Sequence, residues 1–172
     1  SVERNRALVE QPIALSECLK WFLQEEKLGD DDSWYCPGCK EFRPATKRID
    51  LWRLPPLLIV HLKRFRFDGI WKKSCKLVQF DTQDLNLREY VANPDFGDVA
   101  YTLVAVTNHF GGLRGGHYTA YVRHDDSWYE MDDSACRPLA DLSKLNSPAS
   151  YLLFYLRNDL LHSSDAPVRN VP

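Results

Sequence analysis

His117 follows Gly115 and Gly116 and opens a β-prone segment, while Asp132 and Asp133 close a second one across the turn residues Asp125, Asp126 and Ser127. An imidazole and a carboxylate on one sheet face form the base-and-acid part of a nucleophilic site: the ring takes a proton from a thiol or hydroxyl, and the acid fixes its tautomer. Side chains alternate along a strand, so register decides which acid is used. Pairing of His124 with Ser127 puts His117 on the face of Asp132; pairing with Trp128 favours Asp133. The residues alone leave both open. His61 reads as a core residue in an apolar run, and His109, His124 and His162 have no acid expected across a strand.

The run Gly111, Gly112, Leu113, Arg114, Gly115, Gly116 suits a turn, a hinge or a close backbone passage. It is no phosphate cradle, because it lacks a Lys-Ser/Thr pair and leads into a strand. Cys36 and Cys39 have the spacing of a zinc knuckle, but structural zinc takes about four ligands. Cys18, Cys75 and Cys136 supply no second pair, so the cysteines are half a metal site or free thiols. A redox dithiol lacks the βαβ surroundings it needs. Lys63, Arg64, Arg66, Lys72, Lys73 and Lys76 interleave with Phe65, Phe67 and Trp71, and read as a solvated strand face with its aromatics turned inward.

These residues need a scaffold, and 172 residues with 44% hydrophobic composition suffice for one core. Charge balances at 22 Lys+Arg against 24 Asp+Glu, which gives no reason to expect a nucleic-acid partner. No stretch reaches the roughly 18 consecutive apolar residues of a membrane span. An odd cysteine count of five argues against a secreted disulfide framework and for a reducing compartment, cytoplasmic or nuclear.

The pattern predicts a helix over 17–28, capped by Ser16 and ended by Gly29, and then a half-exposed strand around Ile49 and Leu51. After Pro55 and Pro56, the run 57–62 suits a central strand. Further strands are expected at Val78 and Phe80, at Tyr101, Leu103 and Ala105, as a hairpin over 117–124 and 128–132, and at 151–156. Residues 1–11 read as a linker or the end of an upstream segment, 12–157 as the folded unit and 158–172 as a flexible tail.

Five segments in order resemble the ubiquitin-specific proteases, papain-like cysteine deubiquitinases: WYCPGCK at 34–40, LPPLLIVHLKRF at 54–65, GGHYTAY at 115–121, WYEMDDS at 128–134 and YLLFY at 151–155. The resemblance runs from about Pro12 to Leu156 and implies an α+β fold of fingers, palm and thumb. This chain would give mostly the β-rich palm and part of the fingers, an antiparallel sheet with a few short helices. It further implies a thiol-dependent hydrolase that cuts the bond after the C-terminal glycine of ubiquitin. His117 would be the general base, Asp132 its orienting acid and Asp133 an auxiliary polar residue.

Carried over in the same way, Gly111, Gly112, Gly115 and Gly116 would cover the ubiquitin tail, a passage suited to its terminal Gly-Gly, with Phe110 and Tyr118 as channel walls. Cys36 and Cys39 would be half of a structural zinc site, and no catalytic cofactor is implied. Ubiquitin and ubiquitinated proteins would be the partners. Nothing before Pro12 resembles the family's Asn-and-Cys segment. The nucleophile is therefore expected in an upstream, N-terminal half of the same catalytic domain, and this chain alone is expected to be inactive. The alternative is a non-catalytic ubiquitin-binding module with the same fold.

Overall fold

The structure, a computed structural model, describes residues 11–161. Residues 1–10 and 162–172, with most of the expected linker and tail and with His162, lie outside the described residues.

A seven-stranded antiparallel sheet carries the fold. Its strands are β1 (Leu57–His61), β2 (Leu85–Asn86), β3 (Ala100–Gly112), β4 (Gly115–His124), β5 (Ser127–Asp132), β6 (Ala135–Pro138) and β7 (Ser150–Arg157). They lie in the order β6-β5-β4-β3-β7-β1, with β2 paired to the start of β3. Helix α1 (Leu15–Leu23) packs on this sheet through Leu15 and, in part, Cys18 and Leu19. The result is the α+β fold expected.

The core sits under the middle of the sheet, where Tyr101, Leu103, Val106, Leu153 and Tyr155 are fully buried on β3 and β7. Leu103→Ala should therefore cost about 2–5 kcal/mol, the price of a poorly collapsing cavity, seen as a lower urea midpoint with an unchanged slope. Tyr101 and Tyr155 keep their hydroxyls satisfied by donating to Pro55 O (2.6 Å) and Asp81 O (2.7 Å), so their burial leaves no orphaned donor.

Several expectations are corrected. Helix α1 starts after Ala14 with no side-chain cap, and ends at Gln24 because Glu26–Lys27 pairs with Thr46–Lys47 instead of continuing the helix. Ser16 therefore lies inside it. Around Ile49 and Leu51 no strand forms: Leu51 makes an isolated bridge to Val91 and Arg48 to Asp50 join no ladder among the described residues. The run at 57–62 forms β1, but at the edge of the sheet, pairing among the described residues only with β7. His61 on it is exposed, its ring against Tyr151 at 4.7 Å, rather than in the core. Asn158–Leu160 is a 3₁₀ turn tied down by Thr102 and Asp84 through Asn158.

The basic stretch also differs. Phe65–Asp68 and Ile70–Lys73 form a two-stranded ribbon on which the rings of Phe67 and Trp71 meet at a tilt, 5.4 Å apart, while 65% and 56% exposed. Of the three aromatics only Phe65 turns inward, edge-on to His109 and Tyr151. Arg64 is buried, and Lys73 Nζ donates to His109 O at 2.6 Å.

Candidate active site

Strands β4 and β5 are joined by a two-residue turn, with Asp125 at positive φ, and His124 pairs with Ser127. That register resolves the parity left open by the residues. Ala120 opposes Met131, which places Asp132 across from Thr119 and on the same face as His117. His117 Nε2 and Asp132 Oδ1 are 2.5 Å apart. Asp133, in the turn before β6 at φ 49°, contributes a second carboxylate, and one ligand atom from each of the three lies within 4.8 Å of the others.

The bond fixes the ring chemically. With Nε2–H directed at the carboxylate, Nδ1 keeps its lone pair and is the nitrogen free to accept a proton. The hydrogen bond to Asp132, aided by the charges of Asp132 and Asp133, raises the imidazole pKa above its ordinary value, partly opposed by desolvation. The side chains of His117 and Asp132 are 49% and 42% exposed, so the pair lies open on this chain. One imidazole with two carboxylates is also a set a divalent cation would accept, but the ring nitrogen nearest the acids is already engaged by Asp132.

The glycine run is a ladder rather than a loose loop. Gly111 pairs with Gly116 and Gly112 with Gly115, leaving only Leu113 and Arg114 as the turn. Gly111 has φ +85°, and a Cβ on Gly116 would lie 2.3 Å from His109 Nε2 and 2.6 Å from Phe110 O. Glycine is thus required at 116 by a close approach, while Gly112 and Gly115 face open space. Phe110 opposes His117 and Tyr118 opposes His109, so Phe110 and Tyr118 lie on opposite faces of the hairpin. Phe110 shares the face of His117, and Tyr118 lies on the other face with His109.

His109, set aside for want of an acid, turns out to be a structural neighbour of the site. It is 4% exposed, ringed by Phe65, Tyr118 and Tyr151, and its Nδ1 has no partner among the described residues. Burial lowers its pKa, with Lys73 adding to the effect. Its two-residue offset from Gly111 in an alternating strand was the available signal.

Cys36 and Cys39 sit at the turn of the ribbon Trp34–Cys36 and Glu41–Arg43, far along the chain from the base. Backbone N–H groups of Cys39 and Gly38, with the Cys39 side chain between them in weight, lower the Cys36 thiol pKa. Lys40 closes the turn at φ 60°, its N–H donating to Cys36 O at 2.7 Å. No third His, Cys, Asp or Glu joins this pair of sulfur donors among the described residues.

A family model described as ubiquitin carboxyl-terminal hydrolase matches residues 10–155. The chain is 46% identical over 150 residues to "Ubiquitin carboxyl-terminal hydrolase 15" of Homo sapiens, covering 86% of this chain and 15% of that protein. To "Ubiquitin carboxyl-terminal hydrolase 9" of Arabidopsis thaliana it is 47% identical over 151 residues, covering 86% and 16%. Among solved structures, the SAGA Ubp8/Sgf11/Sus1/Sgf73 DUB module bound to ubiquitin aldehyde is similar at a TM-score of 0.69 and 27% identity, covering 86% of this chain and 35% of that one. The chain spans about a sixth of the curated relatives it matches.

Proposed function

The chain belongs to the ubiquitin carboxyl-terminal hydrolase family, as a ubiquitin-specific protease, and from that premise we propose that it supplies the base and acid of a cysteine deubiquitinase whose nucleophile lies outside it. The reading is supported above all by the His117–Asp132 bond on paired strands, directly below a glycine hairpin. In this mechanism Nδ1 of His117 takes the proton of a thiol, and the thiolate attacks the carbonyl of ubiquitin's terminal glycine. His117 then protonates the departing amine. A water molecule, deprotonated by the same ring, releases ubiquitin from the thioester. Asp132 holds the tautomer throughout, and Asp133 adds negative charge that favours the imidazolium.

Gly111, Gly112, Gly115 and Gly116 would admit a tail that itself ends in glycines, with Phe110 beside it. The five cysteines here are not read as the nucleophile: Cys18 is on α1, its thiol pKa raised by burial, Cys36 and Cys39 sit on a separate ribbon, Cys75 lies past the strand 70–73, and Cys136 opposes Met131, on the face of β5 turned away from Asp132. Cys36 and Cys39 would bind zinc together with two further ligands from elsewhere in the domain. The chain alone should then retain zinc at well below one equivalent, measured by elemental analysis.

A ubiquitin probe with a thiol-reactive warhead tests the assignment. We expect no labelling of this chain alone, and labelling of the full-length protein at a cysteine outside residues 1–172. Labelling of any cysteine within this chain overturns it. Tight ubiquitin binding by the full-length protein with no labelling anywhere would favour the non-catalytic module instead.

A further inference from the structure

The glycine hairpin is braced unequally along its two flanks. On one side the ladder between β3 and β4 runs unbroken to Gly112 and Gly115. On the other, β7 pairs with β3 only as far as Asn108, opposite Ser150, and one last backbone bond follows, from His109 N–H to Ala149 O at 2.8 Å. The N–H and C=O of a residue point to the same side of an antiparallel strand, so His109 O faces that flank too. It accepts a hydrogen bond from the Lys73 ammonium at 2.6 Å, in a partly buried position. Past this bond, Phe110 and Gly111 border a cavity of ≈ 400 Å³ instead of a further strand.

Lys73 acts from a fixed support. It pairs with Phe65 across the ribbon, and the N–H of the next residue, Ser74, donates to Arg64 O at 2.7 Å. The buried Arg64 guanidinium donates to Ser74 O, to Lys76 O and, across to the start of β7, to Ser150 O. One side chain thus clamps the root of Lys73 and the end of the last ladder strand to the same frame. A cation donating to a carbonyl makes one of the stronger hydrogen bonds, and partial burial limits the competition from water. Lys72 is the contrast: it is exposed and pairs only with Asp68 of its own ribbon among the described residues, at 3.4 Å.

We propose that Lys73 is a positioning residue: it holds the open flank of the glycine hairpin, and through it the strand that carries His117, in the orientation that admits the substrate's tail. This rests on the reading that the chain supplies the base and acid of a deubiquitinase. Without the ammonium the hairpin keeps its own ladder but loses its last lateral tie, so free enzyme spends a smaller share of its time in the competent orientation. A tail seated beneath the hairpin restores that orientation. The loss therefore shows as weaker apparent binding, with turnover at saturation little changed. Loss of folded enzyme does the opposite, lowering kcat at constant KM.

Lys73→Met in the full-length protein keeps the stem and removes the donor. It should raise KM for a fluorogenic ubiquitin substrate about tenfold with kcat held within about twofold, and should speed amide hydrogen exchange over residues 109–117 about tenfold. Lys73→Arg offers the carbonyl a cationic donor again and should bring both readouts back to within about threefold of the parent protein. Lys72→Met should move neither by more than about twofold. The proposal is overturned by an unchanged KM in Lys73→Met, by a fall in kcat alone, by hairpin exchange no faster than in the parent, or by an equal response to Lys72→Met. Labelling of the parent with the ubiquitin probe separates the two readings. If the parent is labelled and Lys73→Met leaves KM and exchange as they were, only the role of Lys73 falls. If the parent is not labelled, the deubiquitinase assignment falls, and the exchange comparison still decides whether Lys73 braces the hairpin.

Discussion

His117→Ala in the full-length protein is expected to lower kcat/KM for ubiquitin release by about 10³-fold or more, mostly through kcat. The ring is the acceptor of the thiol proton, and its Nδ1 is left free because Nε2 is held by Asp132. Loss of the acid tests the same arrangement from the other side. Asp132→Asn removes the group that both raises the imidazole pKa and selects its tautomer, so the rate should fall by about 10²-fold or more and the acid limb of kcat/KM should move to lower pH. Asp133→Asn removes only a more distant charge and should give a small shift in the same direction. Equal effects at the two aspartates would contradict the observed register. The sign for stability is separate: a histidine whose folded pKa is raised stabilises the fold below its unfolded value near pH 6.5, and that contribution is lost as pH rises through the folded value.

Gly116→Ala is the second large effect expected, a loss of about 10²-fold or more in kcat/KM, set against a change of less than about threefold for Gly115→Ala. The added methyl would overlap His109 Nε2 and the backbone oxygen of Phe110. Neither can yield easily. His109 is packed among Phe65, Tyr118 and Tyr151, and Phe110 O belongs to the ladder. The strand must then move at the residue next to the base, and a misplacement of about 1 Å is sufficient to cost two orders of magnitude. At Gly115 a Cβ meets nothing within 4 Å, which makes that variant the control. Steady-state hydrolysis of a fluorogenic ubiquitin substrate reads both, and a urea midpoint for each variant separates loss of fold from loss of alignment.

Local signals carried much of the architecture. The hairpin that joins His117 to Asp132 was legible because Asp125 and Asp126 favour the turn between two β-prone runs, and the run after Pro55 and Pro56 was legible as a strand from its apolar continuity. What the residues did not contain was neighbours. The stretch 57–61 has the composition of a strand buried on both sides, yet in this chain it lies at the sheet edge, as composition does not record whether the adjoining segment belongs to the same piece of polypeptide. The helix ran short of its periodic pattern because Glu26 and Lys27 are claimed by a partner strand twenty residues on. Phe67 and Trp71 stayed outside because a two-stranded ribbon has no second layer to turn toward. At the site, the choice between Asp132 and Asp133 depended on which residue opposed His124, a matter of turn length that the polar stretch 125–127 leaves ambiguous.

The pairing of Gly111 with Gly116 and Gly112 with Gly115 makes the cover over the proposed tail passage a stiff lever instead of a slack strap. Its tip at Leu113 and Arg114 and the base at His117 belong to one continuous ladder, so lifting the tip to admit a bulkier residue would tilt the imidazole out of line with Asp132. Selection for a slender substrate and readiness for proton transfer would then be mechanically the same event, and a tail with side chains would be refused at the step of catalysis as well as at the step of entry.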